Sequence, residues 1–321
     1  MFTSAAQPPL PAAQTHPRRR RGRDALGGWA MVAPFLILLL VFNLYVFGSG
    51  LYLSLTDQQG INAGDFVGLE NYRDLLFADE FKAQDLYRAI GTTFLYTLGC
   101  LATQVPVAFA LAYVLNTIPF RRLRTALRAA FFLPVLINTV VIALLFRMFF
   151  NRDQGIVNQL LGALGLPSHV DWLMNSQWAL PLLVVVSFWQ WTGFHTVYFL
   201  AQLQTIDPAL YEAARLDGIT PFGALLRITL PLMRPAITFV MVTAAIGGLQ
   251  MFDLVFMLFP NATYGPGGVA KTLVAYIYDQ GFSQQFLTGV ASAIGWITCL
   301  IIAAVSILQL RVLGLGKHGE A

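Results

Sequence analysis

Six long apolar segments constrain the fold of this chain more than any other feature. Each has at least 22 residues, whereas a helix needs about 20 residues to cross the hydrocarbon core of a bilayer. The chain is 57% hydrophobic and 11% charged, so a soluble fold of this size would leave large apolar patches in water. The sequence therefore predicts an all-α membrane protein. The six predicted spans lie near Trp29–Leu53, Ala89–Leu115, Ala129–Phe150, Trp178–Leu203, Pro235–Phe259 and Gln285–Leu310.

The boundaries of these segments predict the domain organisation. Six transmembrane helices are expected to form one transmembrane domain at residues 26–315, with a charged, amphipathic insert at 204–234 between the fourth and fifth spans. Residues 1–25 are rich in Pro and Ala and then basic, which predicts a disordered tail, and residues 316–321 form a second, short tail. The basic run also resembles the start of a signal peptide. The apolar segment after it is longer than a signal segment and has no clear cleavage site, which favours an uncleaved first span.

The positions of Lys and Arg predict the orientation of the chain in the membrane. Of the 20 basic residues, 14 fall on the side that holds both termini and the insert, and 6 fall on the other side. Cytoplasmic loops carry an excess of Lys and Arg. We therefore expect both termini and the insert to be cytoplasmic.

The insert carries the start and stop signals of two short helices. Asp207 is a good N-cap for a helix that begins near Pro208, and Gly218 is a typical stop. Thr220 is the expected N-cap of a second helix, which has an apolar side and which we expect to end at Pro231. Two interpretations fit this pattern. The pair could rest on lipid as an amphipathic unit, or it could present a surface to another protein.

The insert also matches a known signature. It contains Glu212-Ala213-Ala214, then three residues, Gly218, nine residues, and Ile228-x-Leu230-Pro231. This spacing resembles the EAA motif of ATP-binding cassette (ABC) importer permeases. Further stretches at Gly68–Tyr72, Ile206–Ala214 and Thr272–Tyr278 are similar to the maltose-type carbohydrate permease subunits.

The resemblance implies a mechanism and a set of partners. The helix around Glu212 would couple the spans to a cytoplasmic ATPase subunit, with Ala213 and Ala214 allowing close approach and Gly218 supplying the turn. The chain would work beside a second permease subunit, as a heterodimer, with an ATPase dimer and an extracellular or periplasmic solute-binding protein. It would lie in a bacterial or archaeal cytoplasmic (inner) membrane. ATP and Mg would bind to the partner ATPase, and this chain would hold no cofactor, no catalytic residues and no metal site.

Polar and aromatic side chains within the predicted spans are candidates for substrate binding, because polar groups are costly in a membrane. Amides and hydroxyls suit the hydroxyl groups of a sugar, and aromatic faces suit its ring. Hydrogen bonding between helices is the alternative explanation for such residues. The middle of the spans lacks Lys and Arg, which favours a neutral sugar over glycerol-3-phosphate, although that compound or a polyol stays an alternative. The candidates are Asn138, Ser187, Gln190, Trp191, Phe194, Gln250, Phe252 and Asp253.

Two further features suggest other functions: a pair of ionisable residues in the spans and a glycine-rich loop. His195 and Asp253 are both predicted within spans, so a proton-coupled secondary transporter is the alternative to an ATP-driven one. Gly265–Thr272 resembles a phosphate-binding loop, but Ala270 stands where the second glycine is required and no strand pattern precedes it. We therefore predict no ATP site in this chain.

Overall fold

The computed structural model of the chain describes residues 21–78, 80–259, 264–282 and 286–313. One antiparallel bridge joins Thr56 to Phe66, and the regular secondary structure of these ranges is otherwise helical. The predicted all-α class is therefore confirmed for the described part of the chain. The chain divides after Gly50 into two compact units.

The first unit is described from Arg21 onwards. Helix α1 covers Arg21–Leu39, and a π turn at Leu40–Leu44 leads into α2, Tyr45–Ser54, whose last residues belong to the second unit. Most apolar side chains of this segment are exposed, as expected for a helix surrounded by lipid. Residues 21–25, which we predicted within the disordered tail, are helical. Residues 1–20 of that tail, and the second tail at 316–321, lie outside the described residues.

The second unit contains long helices joined by short ones. Its helices are α3 (Glu70–Arg73), α4 (Glu80–Thr117), α5 (Arg121–Leu136), α6 (Thr139–Phe149), α7 (Ile156–Ala163), α8 (Ala179–Leu203), α9 (Pro208–Leu216), α10 (Pro221–Ala224), α11 (Leu230–Leu249), α12 (Asp253–Leu258), α13 (Leu273–Phe282) and α14 (Thr288–Leu313). Two π turns, Asp74–Ala78 and Leu225–Thr229, follow α3 and α10, and a 3-10 turn lies at Pro266–Gly268.

Four helical segments among the described residues are long and apolar enough to cross a membrane, and a fifth is counted if one bent pair forms a single span. The bent pair is α5 with α6, which meet at 95°. Helix α8, predicted as the fourth span, is not in this set although it has 25 residues. Polar residues such as Gln190 and His195 interrupt its apolar run. The four segments are Gly28–Ser54, Glu80–Thr117, Pro221–Leu249 and Thr288–Leu313.

The predicted third span is not one straight helix. Helix α5 contains Pro134 and ends two residues later, and Ile137 has extended backbone with ψ 133°. The side chain of Asn138 then caps α6 by accepting a hydrogen bond from the backbone N–H of Val140 at 2.8 Å. A proline and a strong N-cap so close together explain why the helix breaks here.

The predicted fifth span was wrong in its extent. We expected a helix to Phe259, but α11 ends at Leu249, and residues 250–252 are not helical before α12 begins. Gly247 and Gly248 precede the break, and glycine is unfavourable in a helix interior. Phe252 itself has φ −137°. The polar and aromatic residues that we placed inside this span therefore lie at or beyond a break in the chain.

Glycines let the main helices of the second unit pack closely. A Cβ atom at Gly193 of α8 would overlap the carbonyl oxygen of Phe131 in α5. A Cβ atom at Gly248 of α11 would lie 2.8 Å from the Oγ1 atom of Thr97 in α4. Small residues allow this approach where helices meet in a membrane. Helices α4, α8 and α11 also share a buried cluster that includes Leu115, Phe199 and Met233.

Candidate functional site

Helix α9 is closed at both ends by local hydrogen bonds, as predicted. The Asp207 carboxylate accepts a hydrogen bond from the Ala209 N–H at 2.9 Å, and Pro208 is the first helical residue. At the other end, the N–H of Gly218 donates to the carbonyl of Arg215 and the N–H of Ile219 donates to that of Ala214. This paired arrangement is a Schellman motif, which requires a left-handed residue after the helix. Gly218 takes that role with φ 76°.

The exposed residues of the insert combine large apolar side chains with charged ones, such as Arg215 and Asp217. On α9, Glu212 and Ala213 are exposed, and Leu216 is 90% exposed. Phe222 of α10 is 69% exposed. Ala214 is buried, so of the two alanines in the motif only Ala213 lies on this surface. Exposed large apolar side chains grouped in this way mark an interaction surface, for another protein or for the membrane.

Helix α10 does not end at Pro231, which corrects our prediction. The backbone continues through the π turn Leu225–Thr229 directly into α11, and the N–H of Leu230 donates to the carbonyl of Leu225, five residues back. Pro231 follows immediately after this bond. Its missing N–H therefore falls where the π turn has already interrupted the regular i to i−4 hydrogen bonds of the helix. Ile228 and Leu230 are half-buried, and Pro231 is exposed. The second half of the motif therefore connects the insert to a long helix.

A cavity of about 460 Å³ lies between α9 and the end of α4. One wall is the end of α4, with Tyr113, Asn116 and Thr117. The other wall is the insert, where Tyr211 and Glu212 contribute. The cavity leaves α9 without tight packing against the end of α4.

A hydrogen bond ties α9 to the π turn. The hydroxyl groups of Tyr211 and Thr229 are 2.9 Å apart. Thr229 is fully buried and is the last residue before α11. Our reading of the sequence did not identify either residue, because the bond joins positions 18 apart that only the tertiary structure brings together.

A second cavity, of about 190 Å³, lies among α4, α8 and α11. Three of the predicted substrate residues line it, namely Ser187, Trp191 and Phe194. The Ser187 hydroxyl is hydrogen-bonded to that of Tyr96, which is also in the lining. The full lining is Tyr96, Cys100, Gln104, Ser187, Trp191, Phe194, His195, Thr243, Ala244, Gly247, Gly248 and Met251.

The α4 wall of this cavity was missed by sequence reasoning. Tyr96, Cys100 and Gln104 line it, and they are spaced i, i+4, i+8, so they share one helix face. A periodicity of polar residues in the second span was therefore the available signal. It was weak, because each residue also fits a contact between helices.

The other predicted substrate residues do not line the cavity. Gln190 is buried, and its Nε2 donates to the Thr139 hydroxyl at 2.9 Å. Asn138 caps α6. Gln250 and Asp253 are exposed around the break after α11, and Phe252 stacks on Phe256, with ring centroids 5.2 Å apart. The structure therefore divides the predicted set into a cavity group, two residues at the start of α6 or bonded to it, and a group near α12.

His195 and Asp253, the predicted proton relay, are not joined. His195 is buried in the wall of the second cavity, whereas Asp253 is exposed in the first turn of α12. Neither a hydrogen bond nor an ion pair links these two described residues.

The loop that resembles a phosphate-binding motif has internal partners. The Lys271 ammonium is 2.9 Å from the Asp279 carboxylate, and the Tyr264 hydroxyl donates to the same carboxylate at 2.7 Å. Burial, followed by the hydrogen bond to Asp279, raises the pKa of Tyr264 above its usual value. Within the described ranges, no group of three or more His, Cys, Asp or Glu side chains is arranged to hold a metal ion.

Helices able to cross a membrane, an uncharged internal cavity and an exposed insert are the features of a membrane transport component. The family described as "Binding-protein-dependent transport system inner membrane component" matches residues 104–313. This chain belongs to that family. It is therefore a multi-pass inner membrane component of a transport system that depends on a binding protein.

Curated relatives match most of the chain. It is 34% identical over 289 residues to the arabinooligosaccharides transport system permease protein AraP of Bacillus subtilis, which covers 89% of this chain and 88% of the relative. It is 33% identical to the lactose transport system permease protein LacF of Rhizobium radiobacter, covering 88% and 93%. It is 31% identical to the trehalose/maltose transport system permease protein MalF of Thermococcus litoralis, covering 90% and 94%.

A solved structure shares the fold over nearly the whole chain. A chain in the crystal structure of a bacterial alginate ABC transporter, in complex with alginate pentasaccharide-bound periplasmic protein, matches with a TM-score of 0.79. The two are 26% identical, and the match covers 92% of this chain and 96% of that chain.

Proposed function

We propose that this chain is the permease subunit of an ATP-driven, binding-protein-dependent importer of a neutral sugar or oligosaccharide. Family membership supports the dependence on a binding protein. Relatives named for the transport of arabinooligosaccharides, lactose and trehalose/maltose support the carbohydrate class. In this proposal the six spans are α1 with α2, α4, α5 with α6, α8, α11 and α14, and both termini face the cytoplasm.

The observation that carries the substrate class is the lining of the second cavity. It combines aromatic rings with hydroxyl and amide groups, and none of its residues is Asp, Glu, Lys or Arg. Trp191 and Phe194 offer flat faces to a sugar ring, and Ser187 with Gln104 offers polar groups to its hydroxyls. A phosphorylated substrate such as glycerol-3-phosphate would favour a basic partner, which this lining lacks. The second permease subunit would supply the rest of the path.

The surface formed by Glu212, Ala213, Leu216 and Phe222 is the proposed docking site for the ATPase. Its exposed apolar side chains offer contact area to that partner, and the Glu212 carboxylate suits a basic residue on it. Movement of the ATPase dimer would displace α9 and alternate the access of the cavity to the two sides of the membrane. ATP and Mg would bind to the ATPase, so this chain would be a transport subunit and not an enzyme.

Transport assays separate this proposal from proton coupling. The complete complex, purified with its own partner subunits and reconstituted in liposomes with its binding protein, should take up sugar only with internal ATP. Uptake should persist when an uncoupler collapses the proton gradient. Uptake that stops with the uncoupler at constant ATP would instead favour a proton-coupled secondary transporter.

Two substitutions test the two proposed sites separately. Glu212→Ala should reduce both uptake and ATP hydrolysis by at least tenfold while the chain still inserts, since it removes the docking carboxylate. Trp191→Ala should change the rate or preference among maltose, lactose and arabinotriose and leave basal ATP hydrolysis unchanged. Wild-type behaviour of Glu212→Ala would overturn the docking site, and wild-type behaviour of Trp191→Ala would overturn the cavity assignment.

A further inference from the structure

The buried hydroxyl of Thr229 is bonded differently from those of four other buried threonines in the long helices. Thr93, Thr97, Thr196 and Thr298 each donate to the carbonyl four residues back, at 2.7 to 2.8 Å. In the π turn that Thr229 ends, the carbonyl within reach is that of Ala224, five residues back and 3.5 Å away. At that distance it is a marginal acceptor. The π turn thus frees the Thr229 hydroxyl for a partner outside its own helix.

Tyr211 is that partner, and it stands next to Glu212 on α9. Its hydroxyl lies 2.9 Å from Thr229 Oγ1, which is within the normal range for a hydrogen bond between hydroxyls. A buried hydroxyl without a partner is unfavourable, so this contact resists separation of α9 from the start of α11. Between α9 and the end of α4 lies the cavity of about 460 Å³, which Tyr211 also lines. The docking helix is therefore linked to α11 and loosely packed against α4.

Helix α11 reaches the second cavity. Thr243, Ala244, Gly247 and Gly248 of this helix line it. Thr243 is 14 residues beyond Thr229, which corresponds to about 21 Å of helix at 1.5 Å per residue. A continuous helical segment thus runs from the tyrosine contact to the cavity wall.

We propose that Tyr211 and Thr229 are positioning residues that transmit displacement of α9 to α11, and so to the cavity; this inference rests on the proposed function. The docking surface binds the ATPase, and the hydroxyl pair makes α11 follow α9 when that surface moves. Without the pair, the space between α9 and the end of α4 lets α9 move alone. ATP hydrolysis then continues without the matching change at the cavity.

The test measures sugar uptake and ATP hydrolysis together in the reconstituted wild-type complex and in Tyr211→Phe, Thr229→Val and the double variant. We expect each single variant to keep at least half of the wild-type ATP hydrolysis and to transport at least threefold less sugar per ATP. The double variant should be no worse than either single one, because both remove the same bond. Thr229→Ser, which retains the hydroxyl, should keep the wild-type ratio of sugar transported to ATP hydrolysed.

Tyr113→Phe is the matched control. Tyr113 lines the same cavity, and its hydroxyl has no hydrogen bond partner among the described residues, so this variant should keep the wild-type ratio. If Thr229→Val fails to assemble, Tyr211→Phe decides the question alone. A wild-type ratio of sugar to ATP in Tyr211→Phe overturns the transmission role. So does a double variant in which the losses of the two single variants multiply. If Glu212→Ala still transports normally, or if the wild type needs no ATP, the proposed function itself fails.

Discussion

Replacement of Gly218 by alanine tests the geometry of the insert most directly. Gly218 has φ 76°, and a Cβ atom there would meet nothing within 4 Å. The cost of Gly218→Ala is therefore conformational and not steric. A non-glycine residue in the left-handed region costs about 1–2 kcal/mol. The hydrogen bonds that close the C-terminal end of α9 should therefore break roughly 5 to 30 times more often.

Hydrogen exchange of the purified complex measures this opening. The N–H groups of Gly218 and Ile219 close the Schellman motif, so a peptide covering residues 208–219 should exchange faster by that factor in Gly218→Ala. Gly218→Asn should be milder, because Asn tolerates the left-handed region, and Gly218→Val should be the most severe. Gly91→Ala is the control, since its added Cβ also meets nothing and its φ is not positive.

Two results would refute this reasoning. Unchanged exchange in Gly218→Ala would mean that the left-handed turn does not hold the end of α9. Equal effects of asparagine and valine would mean that the cost is not conformational. In either case Gly218 would need another role in the motif.

Two further predictions concern packing and protonation. Gly193→Ala should lower the free energy of unfolding of the protein in detergent by about 1–3 kcal/mol, because the added Cβ atom would overlap the Phe131 carbonyl oxygen. A free energy of unfolding equal to that of Gly91→Ala would contradict the close approach of α5 and α8. Tyr264→Phe should destabilise by about 1.5–3 kcal/mol, as expected for a lost bond to a carboxylate. The pKa of Tyr264 is raised in the folded state. The stability difference between wild type and Tyr264→Phe should therefore be constant from pH 6 to 9 and should fall as the pH rises above the ordinary tyrosine pKa of about 10. A stability difference that changes within pH 6 to 9 would show that another group titrates.

The sequence predicted the insert in detail because its signals are local. The caps at Asp207 and Thr220 and the turn at Gly218 each depend on residues within a few positions. The end of the second helix was predicted wrongly for the same reason. A proline locally indicates a stop, but the π turn before Pro231 lets the backbone continue.

The cavity was predicted only in part, because polar residues in a span have two uses that look alike in sequence. Gln190 and Ser187 lie three residues apart on α8, yet Gln190 donates to Thr139 while Ser187 lines the cavity with Tyr96. Which use applies depends on what α4, α5 and α6 place opposite each residue. Packing between helices decides whether a polar residue lines the cavity or bonds to a neighbouring helix. The residue pattern along a single helix does not contain that information.

The sequence by itself determined the membrane class, the family signature and the ends of α9, because these follow from composition, spacing and short-range hydrogen bonds. The tertiary structure alone decided that Ala214 is buried while Ala213 is exposed, that α11 stops at Leu249, and that Tyr211 meets Thr229. The physical reason is range. A cap or a turn involves neighbours in the chain, whereas a cavity wall or a bond between helices depends on how distant segments pack.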